Sequence, residues 1–143
     1  MFNNILLAVD LSDPKSQEKA LEASLLQAKL SGASLHIMTV VPDFGMSMVG
    51  SFFPKDYEAQ ALEEANKQLH AYVSEKVPDD VSVRHIVGHG TIYEEILKYA
   101  GESEADLIVM SSHRPELKDY LLGPNAARVV RHAKMSVMVV RGD

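Results

Sequence analysis

The chain has 143 residues, 46% of them hydrophobic, with 14 Lys and Arg against 20 Asp and Glu for a formal net charge of −6. That length fits one domain with a full core, and the acidic balance argues against broad nucleic-acid binding, which needs a basic face to displace counterions. There is no cysteine, hence no disulfide or thiolate chemistry; the start Met1-Phe2-Asn3-Asn4 is unlike a signal peptide and no run approaches the ~18 apolar residues of a membrane span, so a soluble cytoplasmic chain is expected.

Ile5 to Val9 is apolar on both faces, the pattern of a central strand covered by helices on each side, and it stops at Asp10. Ser12-Asp13-Pro14 then supplies a capping side chain followed by a proline where a missing N–H costs least. Leu21, Leu25 and Ala28 give the helix an apolar face, and Ser31-Gly32 stop it. Leu35 to Val41 reads as a second strand closed by Pro42. The irregular stretch Pro42–Pro54 holds Met46, Met48, Phe52 and Phe53, which suit a loop over the core edge or else a lid or interaction surface. Tyr57 to Val77 is a long helical pattern, with Leu62, Ala65, Leu69 and Val73 spaced by three and four.

Pro78-Asp79-Asp80 turns the chain into a strand in which Val81, Val83, His85 and Val87 alternate with polar residues, as at a sheet edge. Gly88-His89-Gly90 reads as a flexible turn. Thr91 and Glu94 form a capping box for a helix to Tyr99 that Gly101 ends. A fourth strand spans Asp106 to Met110. A loop follows, then a helix opened by Gly123, Pro124 and Asn125 and running through His132, then a last strand, Ser136 to Val140. Strands alternating with helices predict a single α/β domain over residues 1–143: a doubly wound five-stranded parallel sheet in the order 3-2-1-4-5, with helices on both faces and right-handed crossovers. In such sheets ligands sit beyond the carboxyl ends of the strands where the strand order reverses, here between strands one and four.

That position carries the candidate chemistry. The apolar run ending at Met110 passes into Ser111, Ser112, His113 and Arg114, and the loop returns at Gly123-Pro124-Asn125-Ala126. A strand, a loop and a helix start in that order make an anion site, because the first helical N–H groups have no partner and the dipole favours negative charge. His113 and Arg114 at the strand's exit are placed to reach a phosphate, and arginine makes forked bonds to one. No G-x-G-x-x-G and no Gly-Lys-Ser loop occurs, which disfavours a nicotinamide dehydrogenase or a Walker-type NTPase. Asp10 is read equally as a cap for the first helix. His113 serves as a positioning donor rather than an acid or base, since no paired carboxylate accompanies it. His85 and His89, four apart in a strand-turn context, do not make a metal site.

The start Ile-Leu-Leu-Ala-Val-Asp, Gly90 before a helix, Asp-Leu-Ile-Val-Met, Leu-Leu-Gly near the last helix and the end Val-Val-Arg-His-Ala-Lys-Met-Ser-Val-Met-Val-Val together resemble the universal stress protein family over the whole chain. The Ser-His-Arg-Pro run with Tyr-Leu-Leu-Gly-Pro-Asn-Ala-Ala is similar to the F-type branch of small bacterial members. The resemblance implies a Rossmann-like fold that binds ATP, with or without Mg2+. It implies that Ala8, Val9 and Val40 wall the adenine, that Asp10 faces the ribose or a magnesium-bound water, and that Gly90, Met110, Ser111, Ser112 and the later loop complete the site. The family's nucleotide binders space Gly, two residues, Gly, nine residues, Gly-Ser or Gly-Thr. Here Ser111 stands at the first glycine, His113 to Pro115 replace the second, Gly123 matches, and Pro124 holds the hydroxyl position. Ser111, Ser112, Arg114, Asn125 and Ala126 are the substitutes. The expected activity is nucleotide-dependent regulation of a stress response through partner contacts. A slow ATPase using Arg114 and His113, or a nucleotide-free interaction protein, are the alternatives. The apolar last strand at the sheet edge, and the family resemblance, imply a homodimer, with a tetramer left open.

Overall fold

The computed structural model describes residues 1–42, 57–112 and 123–141. Five strands, β1 (Asn4–Ala8), β2 (Ser34–Pro42), β3 (Val83–Gly90), β4 (Leu107–Ser112) and β5 (Ser136–Arg141), pair in parallel in the order β3-β2-β1-β4-β5. Four helices connect or flank them: α1 (Glu18–Ser31), α2 (Tyr57–Lys76), α3 (Ile92–Glu102) and α4 (Pro124–His132). The sheet order and the edge position of β3 agree with the sequence pattern.

The central strand explains the layering. Ile5, Leu7 and Val9 point to one side and join Leu21 and Ala28 of α1 and Leu69 and Tyr72 of α2. Leu6 points to the other and joins Ile96 and Ala100 of α3 and Val129 of α4. Ile5, Leu6 and Leu7 are wholly buried, which is why this strand lacks the alternation of a half-exposed one. Each such side chain contributes roughly 1.5–3 kcal/mol relative to exposure. β1 is also tied at its start, where the Asn3 and Asn4 N–H groups donate to the Asp106 carboxylate at 2.8 and 3.0 Å. The Asn3 bond, foremost, holds that carboxyl below its ordinary value.

Several boundaries differ from the sequence reading. Gly88, His89 and Gly90 are not a turn but the end of β3, because β2 continues beside them with Val40, Val41 and Pro42 opposite. Thr91 starts α3 without a side-chain cap bond, so the capping box does not form. Glu95, rather than Glu94, makes the link, its carboxylate accepting the His89 N–H at 3.0 Å. Gly101 does not end α3; the left-handed residue is Glu104, at φ 54°, and the Ala105 N–H returns to the Ala100 carbonyl at 2.9 Å. The first helix opens with a 3-10 turn at Pro14–Gln17, and Asp13 makes no side-chain cap bond there. β4 runs two residues further than Met110, so Ser111 and Ser112 are strand residues opposite Val140 and Arg141. The Met- and Phe-bearing stretch from residue 43 to 56 lies outside the described residues.

Candidate functional site

β1 is flanked by β2 on one side and β4 on the other, so the crossovers leave it in opposite directions and a cleft opens beyond its carboxyl end. A cavity of about 500 Å3 lies there. Its apolar wall comes from Ala8 and Val9 at the end of β1, Met38 and Val40 of β2, Met110 of β4 and Ile92 of α3. Its polar end comes from Ser111 and Ser112 of β4 and Gly123, Pro124, Asn125 and Ala126 at the start of α4. Asp10 and Asp13 stand on the rim, both exposed.

Eleven of the sequence candidates are thereby brought together: Ala8, Val9, Asp10, Val40, Met110, Ser111, Ser112, Gly123, Pro124, Asn125 and Ala126. Gly90 is not on the cavity wall. It ends β3 at φ 136°, a conformation that side chains resist, and turns the chain into α3 against Glu95. His113 and Arg114, with the rest of the loop to residue 122, lie outside the described residues.

The hydrogen bonds sort the polar groups. The Asp10 Oδ1 accepts the Ser12 N–H at 3.0 Å and its O–H at 2.6 Å, a closed turn that fixes the loop after β1. The helix-cap reading of Asp10 is corrected accordingly: the carboxylate shapes the approach to the helix rather than its first turn. Ser111 Oγ donates to the Ser16 carbonyl at 2.8 Å, and Ser16 Oγ donates to the Asp13 carbonyl at 2.9 Å. These bonds clamp the 3-10 turn onto β4. The Gly123 N–H donates to Ser112 Oγ at 3.1 Å, joining the end of β4 to the start of α4. Pro124 has no N–H, and Ala127 is the first residue to bond back into the helix, to Gly123 at 2.9 Å. The N–H groups of Asn125 and Ala126 therefore face the cavity end with no helical acceptor.

Sequence reasoning missed Ser16, Gln17 and Thr39, all buried at this cleft. Thr39 had a signal, as the one hydroxyl in the apolar run of β2. Ser16 had none, because its partner Ser111 is 95 residues away.

Away from the cleft, His85 of β3 and His70 of α2 stack with ring centroids 3.7 Å apart. Burial first, and the neighbouring His70 second, hold His85 below the ordinary imidazole value. His89 meets Glu58 at 3.0 Å. Among the described residues no group of three or more His, Asp or Glu is arranged to hold a metal ion. No described helix is long and apolar enough to cross a membrane.

A model of the universal stress protein family matches residues 1–141. The chain belongs to the universal stress protein family. Universal stress protein G of Escherichia coli O157:H7 is 29% identical over 143 residues, covering 99% of this chain and all of that one. The solved structure of the Methanocaldococcus jannaschii protein MJ0577 superimposes with a TM-score of 0.80 at 26% identity, covering 99% of this chain and 96% of the other. A universal stress protein from Archaeoglobus fulgidus, solved in complex with dAMP, has a TM-score of 0.67 at 18% identity, with 96% and 97% coverage. The doubly wound sheet of this universal stress protein is thus the architecture of its relatives.

Proposed function

We propose that this universal stress protein binds an adenine nucleotide in the cleft beyond β1 and β4 and regulates a stress response through the contacts it makes when loaded. The observation that carries the reading is the polarity of the cavity: an apolar slot at Ala8, Val40 and Met110, and hydrogen-bond donors at Ser112, Asn125 and Ala126. Adenine is a flat, largely apolar ring, and a phosphate at a helix start meets aligned N–H groups and the positive end of the dipole. The volume of about 500 Å3 is in the range of small-molecule sites. The dAMP-bound Archaeoglobus relative supports adenine as the base. ATP is the ligand the family resemblance implies; magnesium would then enter with the phosphates, Asp10 and Asp13 being the carboxylates at hand.

Regulation through contact, rather than through a reaction, fits the way three hydroxyls of the described wall are engaged. Those of Ser12, Ser16 and Ser111 all donate within the protein. We place the self-contact along β5, the exposed end of the sheet, so that two copies form a two-fold dimer.

The test is thermal unfolding of the purified chain with and without adenine nucleotide. At about a hundred times Kd, a ligand that binds only the folded state adds ~2.7 kcal/mol, which raises Tm by about 5–10 °C for a domain of this size. No rise with AMP, ADP or ATP, and no adenine compound released on denaturing fresh protein, rejects the reading.

A further inference from the structure

Gln17 is a long polar side chain in an unusual place. It stands at the N-cap of α1, yet its side chain makes no cap bond to the helix. It is only 5% exposed, and it lines the cavity. A buried carboxamide is costly unless its donors and acceptor are matched. Its neighbour Ser16 meets one part of that need, with Gln17 Nε2 donating to Ser16 Oγ at 2.6 Å.

That bond also fixes which way round the amide sits. Ser16 Oγ spends its one hydrogen on the Asp13 carbonyl, at 2.9 Å, so towards Gln17 it accepts. The end of the carboxamide facing Ser16 is therefore the NH2 group; the reverse orientation sets its oxygen against a hydroxyl oxygen with no hydrogen to give. The turn carrying both residues is itself clamped to β4 by the Ser111 bond to the Ser16 carbonyl. The wall of the cavity thus holds a neutral amide of set orientation. Gln68, which also lines the cavity, differs: it is exposed and donates to Glu64 at 3.3 Å.

We infer that Gln17 selects the base, its carboxamide held by Ser16 to read the 6-amino edge of adenine. The inference rests on the adenine-nucleotide reading above and makes it narrower. Adenine presents an amino donor beside an acceptor ring nitrogen, and a glutamine oxygen and N–H side by side are the complement of that pair. Hypoxanthine exchanges the two, with an oxygen at position 6 and a proton on N1. A carboxamide free to turn over satisfies either base. One held by Ser16 satisfies a single order, and it is neutral, as suits a base edge rather than a phosphate.

The experiment is titration calorimetry of the full-length chain with AMP and IMP, which share ribose and phosphate and differ at this edge. AMP is expected to bind about ten- to a hundredfold tighter. Gln17→Met keeps the length of the side chain, removes the amide, and is expected to bring the two affinities within about twofold, chiefly by weakening AMP. Ser16→Ala is the independent variant. It leaves Gln17 in place and frees the amide to turn, so it is expected to narrow the ratio by tightening IMP, a gain that damage to the fold does not produce. Equal binding of AMP and IMP by the wild-type chain overturns the inference and leaves nucleotide binding in the cleft standing. So does a ratio that neither variant moves. Failure of both nucleotides to bind, or tighter binding of IMP, overturns the adenine reading and the inference with it.

Discussion

Asn125 shows how a single residue at the start of α4 is placed between stability and binding. It is the second residue of the helix, its N–H has no helical acceptor, and it lines the cavity. Replacing it by Asp puts a negative charge near the positive end of the dipole, which favours the helix by about 0.3–1 kcal/mol. The same charge repels a phosphate. Asn125→Asp is therefore expected to raise Tm slightly in the free protein and to weaken AMP by about tenfold or more, with adenosine unaffected. Calorimetry and thermal unfolding of the two proteins check both signs. At this scale the sequence was a good guide to which residues meet and a poor guide to what they do. Ser111 and Ser112 were equivalent in the sequence, two hydroxyls ending a strand. Strand alternation turns them to opposite faces, so Ser111 reaches Ser16 and Ser112 reaches Gly123. That division is a matter of register, which composition does not carry.

The elements were legible where burial dictates the pattern. β1 and β4 are apolar on both faces because helices cover both, and the long period of α2 follows Leu69 and Tyr72 against the sheet. Legibility failed where glycine was read as punctuation. Gly88 is in β3 because β2 pairs with it, and a glycine suits the position because an added Cβ would meet the Glu95 side chain of α3 at 3.3 Å. Gly90 turns the strand into α3 at φ 136°. Gly90→Ala forces a side chain into that conformation and is expected to cost about 1–3 kcal/mol of stability. Denaturant unfolding measures the loss; a change below about 0.5 kcal/mol would show that the strand end relaxes freely. The reading of α3 by its capping box failed for a related reason. The helix start is fixed by the sheet edge through Glu95 and His89, not by Thr91.

At the scale of the whole molecule, two histidines make the fold sensitive to acid. His36 is buried with its Nδ1 unpartnered, and burial followed by the Arg84 charge holds it below the ordinary value of 6.5. His85 is lowered as well, by burial and then His70. In the unfolded chain both take up protons near 6.5, before the folded chain does. The stability they contribute is thus present above that pH and lost as pH falls through the unfolded value towards the folded one. Urea midpoints are expected to drop between about pH 7.5 and 5.5, and His36→Gln with His85→Gln is expected to shrink the drop. Asp106 acts only at lower pH, since its carboxyl is held below 3.8. The sheet order makes a second whole-molecule prediction. β5 is an edge strand of half-buried Val137, Met138, Val139 and Val140. Sedimentation is expected to give a dimer, and Val139→Lys a monomer, because an edge lysine blocks strand addition; a wild-type monomer at micromolar concentration removes the β5 interface from the account. The central claim is that one cleft holds base and phosphate together, and amide NMR of the 15N-labelled chain titrated with AMP tests it most directly. The account predicts shifts gathered at Ala8, Val40, Ser112, Asn125 and Ala126, while shifts scattered over the surface, or centred on the far face of α1, would contradict it.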